Sequence, residues 1–220
     1  MNAPSRPTVA IVDYRLGNLY SVKLACEHAG MEAAVTSDKS EILGADAVIL
    51  PGVGAFGDAM QTLRELDLVH VLKDVAQRGT PLYGICLGLQ LLMETSEEFG
   101  AHEGLGILKG TVVSLGSPRE GGRTLKVPQV GWNSITPPEG RGFEGSPLAC
   151  VSPGERFYFV HSFVVVPQDP EVVCSLTKYG DVEFCSSVRY GNVFACQFHP
   201  ERSGARGLAV YRHIAQNLAR

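Results

Sequence analysis

Apolar and polar positions follow two different rhythms in the first half of the chain. Residues 8–13 form a short apolar run closed by an acid. Residues 19–29 then place Leu19, Val22, Ala25, Cys26 and Ala29 on one helical stripe, which Gly30 stops just past the end. Residues 32–35 and 47–50 read as two more strands, and 58–77 carries a helical period with a break near 66–68. A strand over 81–85 and a helix over 87–95 follow. Strands alternating with helices predict a parallel sheet covered on both faces, and so a three-layer α/β fold.

The pattern changes after Gly104. From there to Asn192, prolines punctuate the loops, β-branched residues are frequent and no helical period persists, which predicts mixed or antiparallel sheet. Residues 182–188 and 193–197 flank Tyr190-Gly191-Asn192, as expected of a tight hairpin. Residues 206–218 line up Leu208, Tyr211, Ile214, Ala215 and Leu218 on one face of a closing helix, with Ser203 as its N-cap. No repeat, low-complexity tract or linker divides the chain. Residues 1–220 therefore read as one domain, a mostly parallel sheet flanked by helices with an added antiparallel region.

With 45% hydrophobic and 19% charged residues, 220 residues can bury one sizeable core. Lys and Arg number 19 against 23 Asp and Glu; the net charge of −4 lacks the positive field that nucleic-acid binding needs. No apolar run approaches the ~20 residues of a membrane span. The residues before Thr8 show neither an apolar leader nor a transit pattern, so a cytoplasmic protein is expected. The six cysteines form no C-x-x-C pair and keep no zinc-ligand spacing, which argues against both a disulfide framework and a bound metal. Cys26, Cys174, Cys185 and Cys196 sit within apolar runs, where cysteine acts as a small hydrophobe.

Cys86 stands apart, within Tyr83-Gly84-Ile85-Cys86-Leu87-Gly88-Leu89-Gln90 between a strand and a helix. Glycines two before and two after the central residue let strand and helix approach around a strained turn that raises a nucleophile above the sheet edge. The start of a helix there favours the thiolate, the species that attacks. The alternative is a cysteine buried in a tight turn. A thiolate needs a base and a group to orient that base, and His199-Pro200-Glu201 supplies both. Proline keeps His199 extended, and in an extended segment Glu201 points the same way as His199. His28, His70 and His213 fall on helices, and His102 falls in a loop.

Pro51-Gly52-Val53-Gly54-Ala55-Phe56-Gly57 formally contains G-x-G-x-x-G. A dinucleotide site wants that fingerprint after the first strand and an acid at the end of the next, whereas here it follows the third strand and the acids downstream lie on helices. It also lacks the lysine of a phosphate loop. An oxyanion loop fits better, because its glycines let a backbone N–H turn toward a tetrahedral intermediate.

Taken together, Pro-Gly-Val-Gly at 51–54, Gly-Ile-Cys-Leu-Gly-Leu-Gln at 84–90 and His-Pro-Glu at 199–201 resemble the class I, triad-type glutamine amidotransferases over nearly the whole chain. Further motifs resemble one branch, the glutaminase subunits of imidazole glycerol phosphate synthase. They are Asp13-Tyr14 with Gly17-Asn18, Val127-Pro128-Gln129-Val130-Gly131-Trp132-Asn133, Tyr158-Phe159-Val160-His161-Ser162-Phe163, and Arg202-Ser203-Gly204. The resemblance implies Cys86 as nucleophile, His199 as general acid/base, Glu201 as its orienter, and backbone N–H groups of Val53 and Leu87 as oxyanion donors. It implies that Gly52, Gln90, Glu98, Ser162 and Phe163 hold L-glutamine. Trp132, Asn133, Tyr158, His161 and Arg202 would face a (βα)8-barrel cyclase in a heterodimer; for Trp132 the alternative is core packing. No cofactor is implied.

The branch commonly has a small residue where this chain has Arg15-Leu16, a histidine at Gln129 and a lysine at Arg202. A stand-alone γ-glutamyl hydrolase would share the triad without the Gly-Trp-Asn segment. A catalytically silent module of the same fold would lack a triad member.

Overall fold

The computed structural model describes residues 6–219. The leader reading rests on residues 1–7, of which 1–5 lie outside the described residues. The first half runs β1 (Thr8–Val12), α1 (Leu19–His28), β2 (Glu32–Thr36), α2 (Lys39–Gly44), β3 (Ala47–Gly52), α3 (Phe56–Glu65), α4 (Val69–Gln77), β4 (Leu82–Cys86) and α5 (Leu87–Leu91). Next come β5 (Met93–Ser96), β6 (His102–Glu103), β7 (Leu108–Ser114), β8 (Arg119–Glu120), β9 (Arg123–Thr124), β10 (Gln129–Ser134) and β11 (Arg156–His161). The chain ends with β12 (Phe163–Pro167), β13 (Val173–Tyr179), β14 (Val182–Tyr190), β15 (Val193–Cys196) and α6 (Gly204–Leu218).

Strands β2, β1, β3, β4 and β15 pair in parallel, in that order. Beyond β15, the strands β14, β12 and β7 continue the same sheet antiparallel to one another, and β13 adds to β14. The central strands β3, β4 and β15 carry no charged residue and are almost wholly buried because both faces are covered, whereas β2 at the edge keeps Glu32 exposed and Thr36 half-buried. Ala10, Val12, Val48 and Leu50 join one core with α3 and α4. Val9, Ile11, Ala47 and Ile49 join the other with α1, α6 and the aromatic residues of β11. This is the three-layer α/β fold with an antiparallel extension that the alternation predicts.

Three elements differ from the sequence expectation. The helix expected over 87–95 is only five residues long, and Met93–Ser96 is a strand paired in parallel with β7. A short apolar run does not distinguish helix from buried strand, and the ladder with β7 decides it. Helix α2 went unread, although Asp38 caps it by accepting from the N–H groups of Ser40 and Glu41. His102 belongs to the short strand β6 rather than a loop, with its ring against Phe56 and at the place a Cβ on Gly57 would occupy. The β14–β15 hairpin turns on Gly191-Asn192, since Tyr190 pairs with Val193.

Candidate active site

Cys86 is both the last residue of β4 and the residue that caps α5, with φ 55° and ψ −107°. A non-glycine residue held there carries strain of about 1–3 kcal/mol, and the flanking glycines make the turn possible. A Cβ on Gly88 would lie 1.8 Å from the Leu50 carbonyl oxygen, and one on Gly84 would lie 2.8 Å from the Ala195 Cβ. Cys86 is therefore pressed against β3, where its register partner is Gly52. A Cβ at Gly52 would collide with the Tyr14 hydroxyl, which donates to the Pro51 carbonyl at 2.8 Å.

The other half of the centre hangs on the end of β15. His199 is extended, and its Nδ1 lies 2.7 Å from Glu201 Oε1 with both side chains almost wholly buried. The contact forms as expected, but not through an extended segment: Pro200–Arg202 is a 3-10 turn that folds Glu201 back under the imidazole. Burial alone would pull the His199 imidazole down. The neighbouring Cys86 sulfur and Glu201 carboxylate outweigh that and hold it above the ordinary histidine value. With Nδ1 facing Glu201, Nε2 is free of hydrogen bonds among the described residues. Ser203 does not cap α6 with its side chain: its hydroxyl donates to the His199 carbonyl at 2.6 Å and accepts from the Tyr158 N–H at 3.0 Å. It fixes the backbone that carries the histidine.

A cleft of about 280 Å³ opens beside the sulfur. Val53, Leu87, Gln90, Glu98, Ser162 and Phe163 line it together with Cys86, whereas Gly52 is buried and is not part of the lining. Gly54 of the expected oxyanion loop, together with Pro128 and Val160 from the family motifs, also lines it, and Phe99, which carries no chemical signature of its own in the chain, completes the wall. Glu98 accepts from the Phe56 N–H at 2.7 Å, yet burial still raises its carboxyl above the usual range. Gln90 donates to the Phe163 carbonyl at 3.2 Å, tying α5 to β12.

The residues expected to face a partner divide. Trp132 is half exposed rather than in the core. Its ring lies 6.3 Å edge-on from Tyr158, and the exposed Arg202 guanidinium sits 5.0 Å over the Tyr158 ring. His161, in contrast, is buried and lines the cleft. It cannot present itself to a partner, because the packing of Phe159 and Phe184 encloses its ring. Its Nδ1 lies 3.0 Å from the Phe163 carbonyl and its Nε2 3.1 Å from Gln129, so Gln129 serves as an internal partner of His161. Asn133 is also engaged within the chain, donating to the Lys178 carbonyl at 2.7 Å.

A thiol at a strained elbow, a buried imidazole oriented by a carboxylate and an adjoining cleft are the parts needed for acyl transfer. The family description "Glutamine amidotransferase class-I" matches residues 10–213. The chain belongs to the class-I glutamine amidotransferases. Its relatives include imidazole glycerol phosphate synthase subunit HisH of Rhodopirellula baltica, 49% identical over 94% of this chain and 96% of that protein. The subunit of the same name from Moorella thermoacetica is 48% identical over 94% of each. Within the amidotransferase family the chain thus falls with the HisH subunits. Among solved structures, PurLQS from Thermotoga maritima superposes with a TM-score of 0.73 at 23% identity, covering 97% of this chain and all of that one, which is a likeness of fold. For an amidotransferase the reacting group is the side-chain amide of glutamine.

Proposed function

We propose that this amidotransferase hydrolyses L-glutamine to glutamate and ammonia through Cys86, His199 and Glu201, and passes the ammonia to a cyclase subunit. The reading rests on one observation above all, the strained Cys86 turn adjoining a His199–Glu201 pair at 2.7 Å. The Cys86 thiolate attacks the side-chain carbonyl carbon of glutamine, forming a carbon–sulfur bond. Backbone N–H groups of Val53 and Leu87 receive the developing oxyanion. The carbon–nitrogen bond then breaks, and the proton on His199 leaves with the nitrogen as ammonia. Water, deprotonated by His199, attacks the γ-glutamyl thioester; glutamate departs and the thiolate is restored. Glu201 holds the imidazole in the tautomer and orientation that both steps require. Gln90, Glu98, Ser162 and Phe163, which line the cleft, bind the rest of the glutamine molecule. The sequence of steps is complete without a cofactor.

Ammonia released to water is lost to protonation and diffusion, so a synthase that consumes it must receive it directly. The acceptor we infer is a (βα)8-barrel cyclase, which would use ammonia to make imidazole glycerol phosphate and AICAR for histidine. Its docking face would surround the cleft, where Val53, Phe99, Val130 and Trp132 are exposed apolar side chains beside Tyr158 and Arg202. Such a face, apolar at its centre with an aromatic–arginine cluster, has the composition of a protein interface. The whole activity would reside in one domain acting in the cytoplasm. No described helix is long and apolar enough to cross a membrane.

The test uses Cys86→Ala in the complex with a cyclase. Glutamine hydrolysis should fall to background while synthesis from added ammonia continues, because only the nucleophile is lost. Near wild-type hydrolysis by Cys86→Ala would overturn the assignment.

A further inference from the structure

Gln197 is wholly buried, two residues before His199, and has no part in the chemistry above. Pairing of Cys196 with Ile85 across β15 and β4 brings the next residues, Gln197 and Cys86, side by side. One end of the Gln197 carboxamide lies 3.1 Å from Gln90 Nε2, and the other lies 3.5 Å from the Cys86 sulfur. Which end is which follows from a group that has no choice. The Phe163 carbonyl can only accept, so the Gln90 atom 3.2 Å away must be the –NH2. That –NH2 offers its second hydrogen to Gln197, and only an oxygen can take it. The –NH2 of Gln197 is therefore turned toward the sulfur.

We propose that Gln197 is a thiolate-stabilising residue, donating an Nε2–H hydrogen bond to the Cys86 sulfur in an orientation fixed by Gln90 and the Phe163 carbonyl. This rests on the reading of Cys86 as the nucleophile. A hydrogen bond to the charged form favours that form. The sulfur's other polar neighbour, the Val160 carbonyl at 3.8 Å, can accept only from the protonated thiol. Around Cys86, His199 offers positive charge from the end of β15, with Glu201 behind it. Tyr14 from the loop after β1 and Cys196 from β15 are buried neighbours that bring no positive charge. Glu98 and His161 line the same cleft as the sulfur. Gln197 is thus the neutral donor to the sulfur, beside the cationic His199. The same accounting spends both amide hydrogens of Gln90 inside the protein, which leaves its Oε1 to accept from a bound substrate.

The experiment compares wild type, Gln197→Leu, Gln197→Glu and Gln90→Leu in the full chain. Chloroacetamide labelling of Cys86 is followed by peptide mapping from pH 6 to 10, alongside glutamine turnover in the cyclase complex. Gln197→Leu should slow Cys86 labelling about tenfold near pH 7, with the difference closing at high pH, because the lost bond acts on ionisation. Turnover should fall by a similar factor while KM moves much less. Gln197→Glu, which replaces the donor with an acceptor, should slow labelling further, and it stands in if Gln197→Leu does not fold. Gln90→Leu should also slow labelling, although Gln90 does not bond to the sulfur. Labelling within twofold of wild type at every pH in folded Gln197 variants would overturn the proposal. Failure of wild-type Cys86 to be labelled, or persistent hydrolysis by Cys86→Ala, would instead remove the underlying reading.

Discussion

Among the titratable side chains near the cleft, His161 shows most directly how burial becomes a property of the protein. Burial holds its imidazole down to about 4, opposed by the Phe163 carbonyl and reinforced by His199. In the unfolded chain the same group titrates near 6.5. Below that pH the unfolded state takes up a proton that the folded state refuses, so the stability His161 contributes is complete above about 6.5 and is lost as pH falls through 4. The full loss is about 3 kcal/mol. Urea unfolding of wild type and His161→Gln at pH 7.5 and 4.5 should show a shallower acid loss in the variant, by about 2 kcal/mol. Parallel losses in the two proteins would mean that other groups govern the acid limb.

At the scale of elements, the turn joining β4 to α5 is built on absent side chains. Gly88→Ala would drive a Cβ to 1.8 Å from the Leu50 carbonyl, a backbone atom of the neighbouring strand that cannot yield. The expected penalty is about 3 kcal/mol or more, with loss of glutaminase activity because Cys86 moves with the turn. Gly44→Ala supplies the contrast. Gly44 ends α2 with nothing within 4 Å of the added Cβ, and the substitution should stabilise by about 0.4–1 kcal/mol by restricting the unfolded chain. Thermal unfolding of the two variants reads both signs at once. Much of this element was legible in the chain, since Gly-x-Cys-x-Gly describes a local geometry. The length of α5 was not, because a ladder between Met93–Ser96 and β7, closed only in the fold, ends the helix.

For the whole molecule, the prediction concerns coupling between the cleft and the face around it. Val53 is exposed in a loop where Gly54 has φ +109°, so the peptide proposed to carry one oxyanion donor can turn at little steric expense. Loss of such a donor slows acyl transfer by about 10²–10³-fold. The chain alone should therefore turn over glutamine slowly, and addition of cyclase with its nucleotide should raise turnover by a factor within that range. Equal turnover in both conditions would dismiss the gating and weaken the partner assignment.

What the sequence determined by itself was whatever depends on neighbours along the chain. The alternation of strand and helix, a tight hairpin around Tyr190-Gly191-Asn192, and the Gly84–Gly88 elbow all follow from local sterics and periodicity, whereas the register that narrows the turn to Gly191-Asn192 came from the fold. Tertiary structure decided where distant side chains meet. His161 reads as a surface residue in a motif and is buried, because Phe159 and Phe184 close around it. Trp132, a fair core candidate by type, lies half exposed on β10. Gln197 carries no signal in the chain; it touches Gln90 and Cys86 across 107 and 111 residues of sequence. Its orientation is set by a carbonyl on a third strand, a constraint that exists only once all three segments are packed together.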